Sequence, residues 1–188
     1  MLILASGSPR RRDLLTQAGY TFTTRAADIP EDPFDGEEPV TYVVRLARQK
    51  AQVVFDAVND PAAVVLGADT TVTVDGRILG KPADAADAAR MLRLLSGRTH
   101  RVITGVAVVT AAHAEVAAEV TAVRFLTLSD AEIEAYIATG EPMDKAGAYA
   151  IQGRAARWIP RVEGCYFNVM GLPLALVGTM LEAAKVQP

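Results

Sequence analysis

The sequence predicts a mixed-sheet α/β or α+β domain, and three observations carry that expectation. Strand-like and helix-like segments are interspersed along all 188 residues rather than segregated. Hairpin-turn signals fall among them. Hydrophobic residues make up 51% of the chain, enough to bury a sheet behind helices. The length points to one domain.

The chain opens with LILA, which reads as a short buried strand. Ser8 suits an N-cap and Pro9 the first helical position. Leu14, Leu15 and Ala18 give the following helix an apolar face, and Gly19 supplies its stop. Residues 28–39, DIPEDPFDGEEP, form an acidic loop rich in proline. A helix then starts near Thr41 and runs to about Val58, with Val43, Leu46, Ala47 and Val54 as its apolar stripe. Lys50 lies on that stripe, where it either snorkels past the core edge or points into a cleft.

VVLGAD, residues 64–69, is a buried strand ending in a carboxylate. TTVTV continues it with a period of two, and Asp75-Gly76 marks a hairpin turn before RILGKP. Asp84 caps a helix through Leu95 that Ser96-Gly97 ends. RVITGVAVVT and AEVAAEVTAVRFLTL read as two long strands joined near His113. Ser129 and Glu132 make a capping box for a helix that stops at Gly140. EPMDKAGAYAIQGR reads as a glycine-rich loop region, and ARWIPRVEG and CYFNVM as strands. Pro173 opens a last helix to about Lys185.

Composition excludes several function classes. A net charge of −3 argues against general nucleic-acid binding, so any cationic site must be local. The single cysteine, Cys165, cannot form an internal disulfide and reads as a packed small side chain. No Cys/His cluster is spaced for zinc, and the expected setting is reduced and cytoplasmic. MLILASG is too short for a signal peptide, and no apolar run approaches the ~20 residues of a membrane span. His100 and His113 have no serine or cysteine partner in a motif, and no nucleophile elbow is present. GRILGKP falls one residue short of a P-loop, with Pro82 in place of the magnesium-holding hydroxyl residue.

What remains is a set of cations and carboxylates, most of them at turns: Arg10, Arg11, Lys50, Lys81 and Lys145, with Glu31 and Asp69. This set suits phosphate chemistry. Arginines and lysines offset phosphate charge, and carboxylates hold a divalent cation or position a water. A helix N-terminus already carries partial positive charge, yet Arg10, Arg11 and Arg12 add more. They are either solvated or part of an anion site in which the SGSP turn aims its N–H groups outward. Asp69, at a strand end, either takes the proton from an attacking water or caps its turn.

Taken together, seven segments resemble the Maf family of nucleoside triphosphate pyrophosphatases, also known as septum-formation inhibitor proteins. They are LASGSPRR, RLARQKA, LGADTTV, GKP, LSGRTHRVITGVA, DKAGAYAIQG and NVMGLP, in family order almost from end to end. The resemblance implies an α/β domain with a long, mixed, twisted sheet flanked by helices, its two lobes around a cleft as in inosine triphosphate pyrophosphatases. It implies hydrolysis between the α- and β-phosphates, with magnesium or manganese as cofactor and a possible homodimer. By position, Asp69 is the proton acceptor, and Ser6 and Arg11 contact phosphate. Lys50 and Lys81 converge on the triphosphate, which turns Lys50 toward the cleft. Glu31 joins Asp69 at the metal, with Asp28 or Asp32 as substitutes. Lys145 either joins the site or pairs with Asp144.

Arg10, Thr70 and Gln152 match the three specificity positions of the dTTP/UTP branch. The branch acting on 7-methyl-GTP has Trp and Glu at the first and last of these. The Gln152 amide offers a donor and an acceptor to the O4/N3–H edge of uracil or thymine, whereas a carboxylate would repel O4. Pyrimidine triphosphates with a modified base fit the same residues. Gly164-Cys165-Tyr166 departs from the family's Gly-Ser-Tyr and weakens any hydrogen bond from that side chain. A different class, a nucleotide-sensing regulator of division without turnover, is the alternative. The presence of Asp69, Lys50 and Lys81 argues against it, since a sensor needs no base.

Overall fold

Alternation of strand and helix along the chain builds one mixed seven-stranded sheet in the computed structural model, which describes residues 1–188. The strands are β1 (Leu2–Leu4), β2 (Thr23–Thr24), β3 (Val64–Val74), β4 (Arg77–Leu79), β5 (Thr99–Val109), β6 (Ala114–Arg124) and β7 (Arg161–Glu163). Their order is β2-β1-β3-β5-β6-β7, with β4 paired to β3 off this path. β1 runs parallel to both β2 and β3, while β4 and β7 are antiparallel to β3 and β6. The helices are α1 (Pro9–Gln17), α2 (Pro39–Val58), α3 (Ala85–Leu95), α4 (Asp130–Ile137), α5 (Tyr166–Met170) and α6 (Leu174–Ala183).

Local chemistry accounts for most boundaries. Pro9 opens α1 after Ser8, whose hydroxyl makes no cap bond. The Asp84 carboxylate accepts from the Asp87 N–H at the start of α3. Ser129 and Glu132 form the full reciprocal capping box of α4. The β3–β4 hairpin turns through Asp75 and Gly76, both at positive φ.

The chain divides into two compact units. The first comprises Met1–Thr70, Thr104–Glu119 and Gly171–Pro188. Ile3, Ala5, Ala47, Ala51, Val54, Val65 and Ala107 form a core of it, built from small and β-branched side chains. Two glycines let α2 lie directly on the strands. A Cβ on Gly67 would stand 2.2 Å from the Ala47 carbonyl oxygen, and one on Gly105 2.3 Å from that of Val43. This approach sets the depth of Lys50, one turn beyond Ala47.

The second unit comprises Thr71–Ile103 and Val120–Met170. Its core is larger and aromatic: Leu92, Phe125, Ile133, Tyr136, Tyr149 and Trp158 are all buried in one cluster, with α3 packed on α4. Phe125 meets His100 and Tyr149 edge-on at 4.9 and 4.8 Å between ring centres.

Four expectations are corrected. CYFNVM is not a strand: Tyr166–Met170 is the helix α5. A short apolar run has no period that separates strand from buried helix. Here Asn168 decides, because its buried amide donates to the Val102 carbonyl and to Thr121 Oγ1, at 3.0 and 2.9 Å. Of ARWIPRVEG, Ala156–Trp158 lies in a 3-10 turn and only Arg161–Glu163 is a strand, and the EPMDKAG region holds two more such turns. The second long strand ends at Arg124, four residues before Leu128. The two-residue strand β2 carries no sequence pattern and forms by pairing with β1.

Candidate active site

In the first unit, β3 and α2 place opposite charges together below the surface. Lys50 and Asp69 are 8% and 7% exposed, and the Lys50 ammonium donates to Asp69 Oδ1 at 2.7 Å. The same ammonium meets Glu31 Oε1 at 2.6 Å. Lys50 therefore turns inward rather than snorkelling outward, because a buried carboxylate waits for it. Burial pushes the Asp69 carboxyl above its ordinary range, and the charges of Lys50 and then Arg11 pull it back in part. A carboxylate so poised can accept a proton near neutral pH more readily than an exposed one.

Glu31 belongs to the acidic loop, which α2 holds in place. The Tyr42 hydroxyl donates to the Glu31 carbonyl at 2.8 Å. Arg45 grips the Glu37 carboxylate through Nε and Nη2, at 2.7 and 2.6 Å, and lies over the Phe34 ring. Burial, with the negative charge of Asp69 and Glu31, pushes the Tyr42 phenol up to about 12, so it stays a donor.

The SGSPRR turn has an internal structure that its charge alone does not reveal. Arg11 is clamped. Its guanidinium donates to the Gly171 carbonyl at 2.8 Å, the Ala68 carbonyl at 2.8 Å, Thr70 Oγ1 at 2.9 Å and Ser6 Oγ at 3.3 Å. Those four bonds use most of a guanidinium's N–H donors, of which there are about five. Arg11 thus fixes the turn against the middle of β3, where Asp69 lies rather than at the strand end the sequence suggested, and its charge reaches Asp69 from a rigid position. Ser6 Oγ accepts from both the Ser8 N–H and Arg11, which leaves its hydroxyl proton free to be donated. The Thr70 hydroxyl accepts from Arg11 and lies 2.9 Å from the Thr104 hydroxyl. Arg10, next to this clamp, is half-buried.

In the second unit, Lys81 and Gln152 are both exposed. They share one scaffold. The Gly147 N–H donates to the carbonyl of Gly80, the residue before Lys81, at 3.0 Å. Gly147 has φ +69° and sits on Val72, which a Cβ would meet at 2.8 Å. Ala148 follows at φ +59°, a conformation rare for alanine that persists where packing over-determines it. Lys145 pairs with Asp144. His100 is buried, its Nε2 lies 2.8 Å from the Tyr149 hydroxyl, and burial lowers its pKa to about 4. It is a neutral core histidine. Cys165 is partly buried, its N–H donating to Thr121 Oγ1.

The family described as Maf-like protein matches residues 1–184. The chain belongs to the Maf family. A protein of Pelotomaculum thermopropionicum named dTTP/UTP pyrophosphatase is 54% identical over 96% of this chain and 95% of its own length. Proteins with the same name from Koribacter versatilis and Symbiobacterium thermophilum are 52% and 53% identical, over 98% and 96% of this chain and 95% and 92% of their own lengths.

On this Maf chain, Ser6, Arg11 and Thr70 form one bonded group, and Glu31, Lys50 and Asp69 another. Tyr42, Arg45, Thr104 and the Gly171 carbonyl complete them, and sequence reading missed all four. Arg45 and Tyr42 share α2 with Lys50, which is a weak signal; Thr104 and Gly171 fall inside the segments LSGRTHRVITGVA and NVMGLP, but no residue chemistry there marks them as partners of Thr70 or Arg11. The paired carboxylates Glu31 and Asp69 are hard oxygen donors that meet at one cationic atom. That fits a divalent ion, which takes one or two carboxylates and completes its shell from phosphate. No group of three His, Cys, Asp or Glu side chains is placed to hold a metal by itself. No helix is long and apolar enough to cross a membrane.

Proposed function

We propose that this chain hydrolyses dTTP and UTP to the nucleoside monophosphate and pyrophosphate. The observation that carries the reading is the buried Lys50–Asp69 pair, with Arg11 clamped against the same strand. A base held in a low-dielectric site beside fixed cations is suited to attack on a polyanion. The names of the relatives supply the substrate class.

Asp69 accepts a proton from a water, and the water oxygen attacks the α-phosphorus in line. The bond from that phosphorus to the α–β bridging oxygen breaks, and its electrons leave with pyrophosphate. The Lys50 ammonium, bonded to Asp69 Oδ1 before the attack, offsets part of the negative charge there. The free Ser6 proton and the outward N–H groups at the start of α1 donate to phosphate oxygens. Glu31 and Asp69 would hold magnesium or manganese, which when bound neutralises phosphate oxygens and steadies the leaving group. Motif resemblance alone assigns Lys81 to phosphate charge, and Arg10 and Gln152 to base selection. A cytoplasmic location and a homodimer belong to the same reading.

The test is pyrophosphate release from the common nucleoside triphosphates with magnesium or manganese, run beside Asp69→Asn. Release from UTP and dTTP should fall by about 10²-fold or more in the variant, with nucleotide binding retained. Undiminished turnover in Asp69→Asn would remove Asp69 as the base. Saturable binding without release from any triphosphate would favour the sensor.

A further inference from the structure

We infer that Glu141 is a positioning residue for Gln152, and so for selection of the base; this rests on the reading of Gln152 given above. The geometry lies wholly within the second unit. Gln152 is exposed and follows a segment forced into an unusual backbone course at Gly147 and Ala148. Something must hold its peptide on both sides. One carboxylate does so.

Glu141 accepts from the Arg154 N–H at 3.1 and 3.3 Å through its two oxygens. Its Oε1 also accepts from the Tyr136 hydroxyl at 2.7 Å. That hydroxyl in turn accepts from the Ala150 N–H at 3.1 Å. The residues two before and two after Gln152 are thus tied to the same group, one directly and one through a phenol. Gly153, between Gln152 and Arg154, shows how tightly this closes. A Cβ there would stand 1.9 Å from Glu141 Oε1, so the carboxylate occupies the space a side chain would need. Its φ is negative, and glycine is required for room rather than for conformation.

The carboxylate is itself fixed. The Glu141 N–H donates to Thr139 Oγ1 at 3.1 Å, and the Thr139 hydroxyl donates to the Tyr136 carbonyl at 2.6 Å. Tyr136 is packed edge-on against Trp158 at 5.0 Å, which anchors the phenol in the aromatic core. A glutamine side chain that must match both a donor and an acceptor on a base needs its backbone fixed to a fraction of an ångström. Glu141 carries out that task without touching substrate.

The test compares kcat/KM for UTP and GTP in the full chain, Glu141→Ala, Glu141→Gln, Gln152→Ala and the double Glu141→Ala/Gln152→Ala. Amide exchange at Ala150 and Arg154 is followed in parallel. Glu141→Ala should lower the UTP-to-GTP ratio by about 10-fold and speed exchange at both amides, since misplacement by about an ångström costs up to ~10²-fold. Glu141→Gln, which keeps an acceptor, should recover part of the ratio. The double variant should match Gln152→Ala alone, because Glu141 has nothing left to position. A ratio lost independently in the double variant would overturn the inference. So would a Glu141→Ala effect that lowers UTP and GTP turnover equally. If Gln152→Ala leaves the ratio intact while Glu141→Ala still frees both amides, the reading of Gln152 has failed, and the inference falls with it; intact ratio and unchanged exchange in Glu141→Ala would sink the inference alone.

Discussion

The two units hold their functional side chains by different means. In the first, charge holds charge: Lys50 lies between Glu31 and Asp69, and Arg11 is clamped by carbonyls and hydroxyls. In the second, the Glu141 carboxylate and the Tyr136 hydroxyl hold the backbone around Gln152, and a neutral aromatic core of His100, Phe125, Tyr149 and Trp158 backs Tyr136. The difference teaches where each unit places its cost. Burying Asp69 beside Lys50 is expensive in desolvation, and it leaves a carboxylate with a raised pKa that can do chemistry. Burying neutral rings is favourable, and it leaves a rigid frame with no reactivity of its own.

The largest effect on stability should come from the neutral side. Phe125→Ala empties the middle of the aromatic cluster, where Phe125 is 1% exposed, and should cost about 4 kcal/mol of unfolding free energy in urea titration. Lys50→Met tests the charged side. It leaves Asp69 buried with one cation fewer and should cost about 3 kcal/mol. It should also lift the acid limb of kcat/KM. Because burial already raises the Asp69 pKa and Lys50 lowers it, activity falls with decreasing pH above the ordinary carboxylate range, and higher still in Lys50→Met. An acid limb unmoved by the substitution would break the contrast between the units.

His100 gives the neutral unit its own pH dependence, of comparable size. Its pKa falls from 6.5 to about 4 on burial. The unfolded chain therefore binds this proton first as pH drops. Stability is fully present above pH ~6.5 and is lost as pH falls toward ~4, by about 3 kcal/mol at about 1.4 kcal/mol per pH unit. His100→Gln should flatten that slope of melting temperature against pH while leaving the slope from other groups. The smallest effect is expected at the surface. The Arg93–Asp130 pair, with both side chains more than half exposed, should contribute less than about 1 kcal/mol, so Arg93→Ala should scarcely move the urea midpoint.

The contrast also marks what could be read beforehand. The charged unit was legible because its chemistry resides in residue types: a lysine on an apolar stripe and an aspartate inside a buried strand stand out in any sequence, although Asp69 sits in the middle of β3 and not at its end. Arg11 was legible as a cation and not as a clamped one, since the carbonyls of Ala68 and Gly171 that hold it have no side-chain signature. The frame around Gln152 was hidden. Glu141, Tyr136 and Gly153 are ordinary loop and helix residues until the fold brings them together.

By itself the sequence determined the alternation of strands and helices, the caps at Asp84 and Ser129 and the hairpin at Asp75-Gly76. These depend on neighbours a few residues away, or on a period that one helix or strand imposes. Tertiary structure alone decided that CYFNVM is helical, that Thr23–Thr24 pairs as a strand, and that one carboxylate serves both flanks of Gln152. In each case the deciding partner is distant in sequence: Val102 and Thr121 for Asn168, β1 for β2. For the flanks of Gln152 it is a hydroxyl and a carboxylate from α4 and the turn after it. A local pattern carries no information about a hydrogen bond whose two ends meet only when the chain has folded.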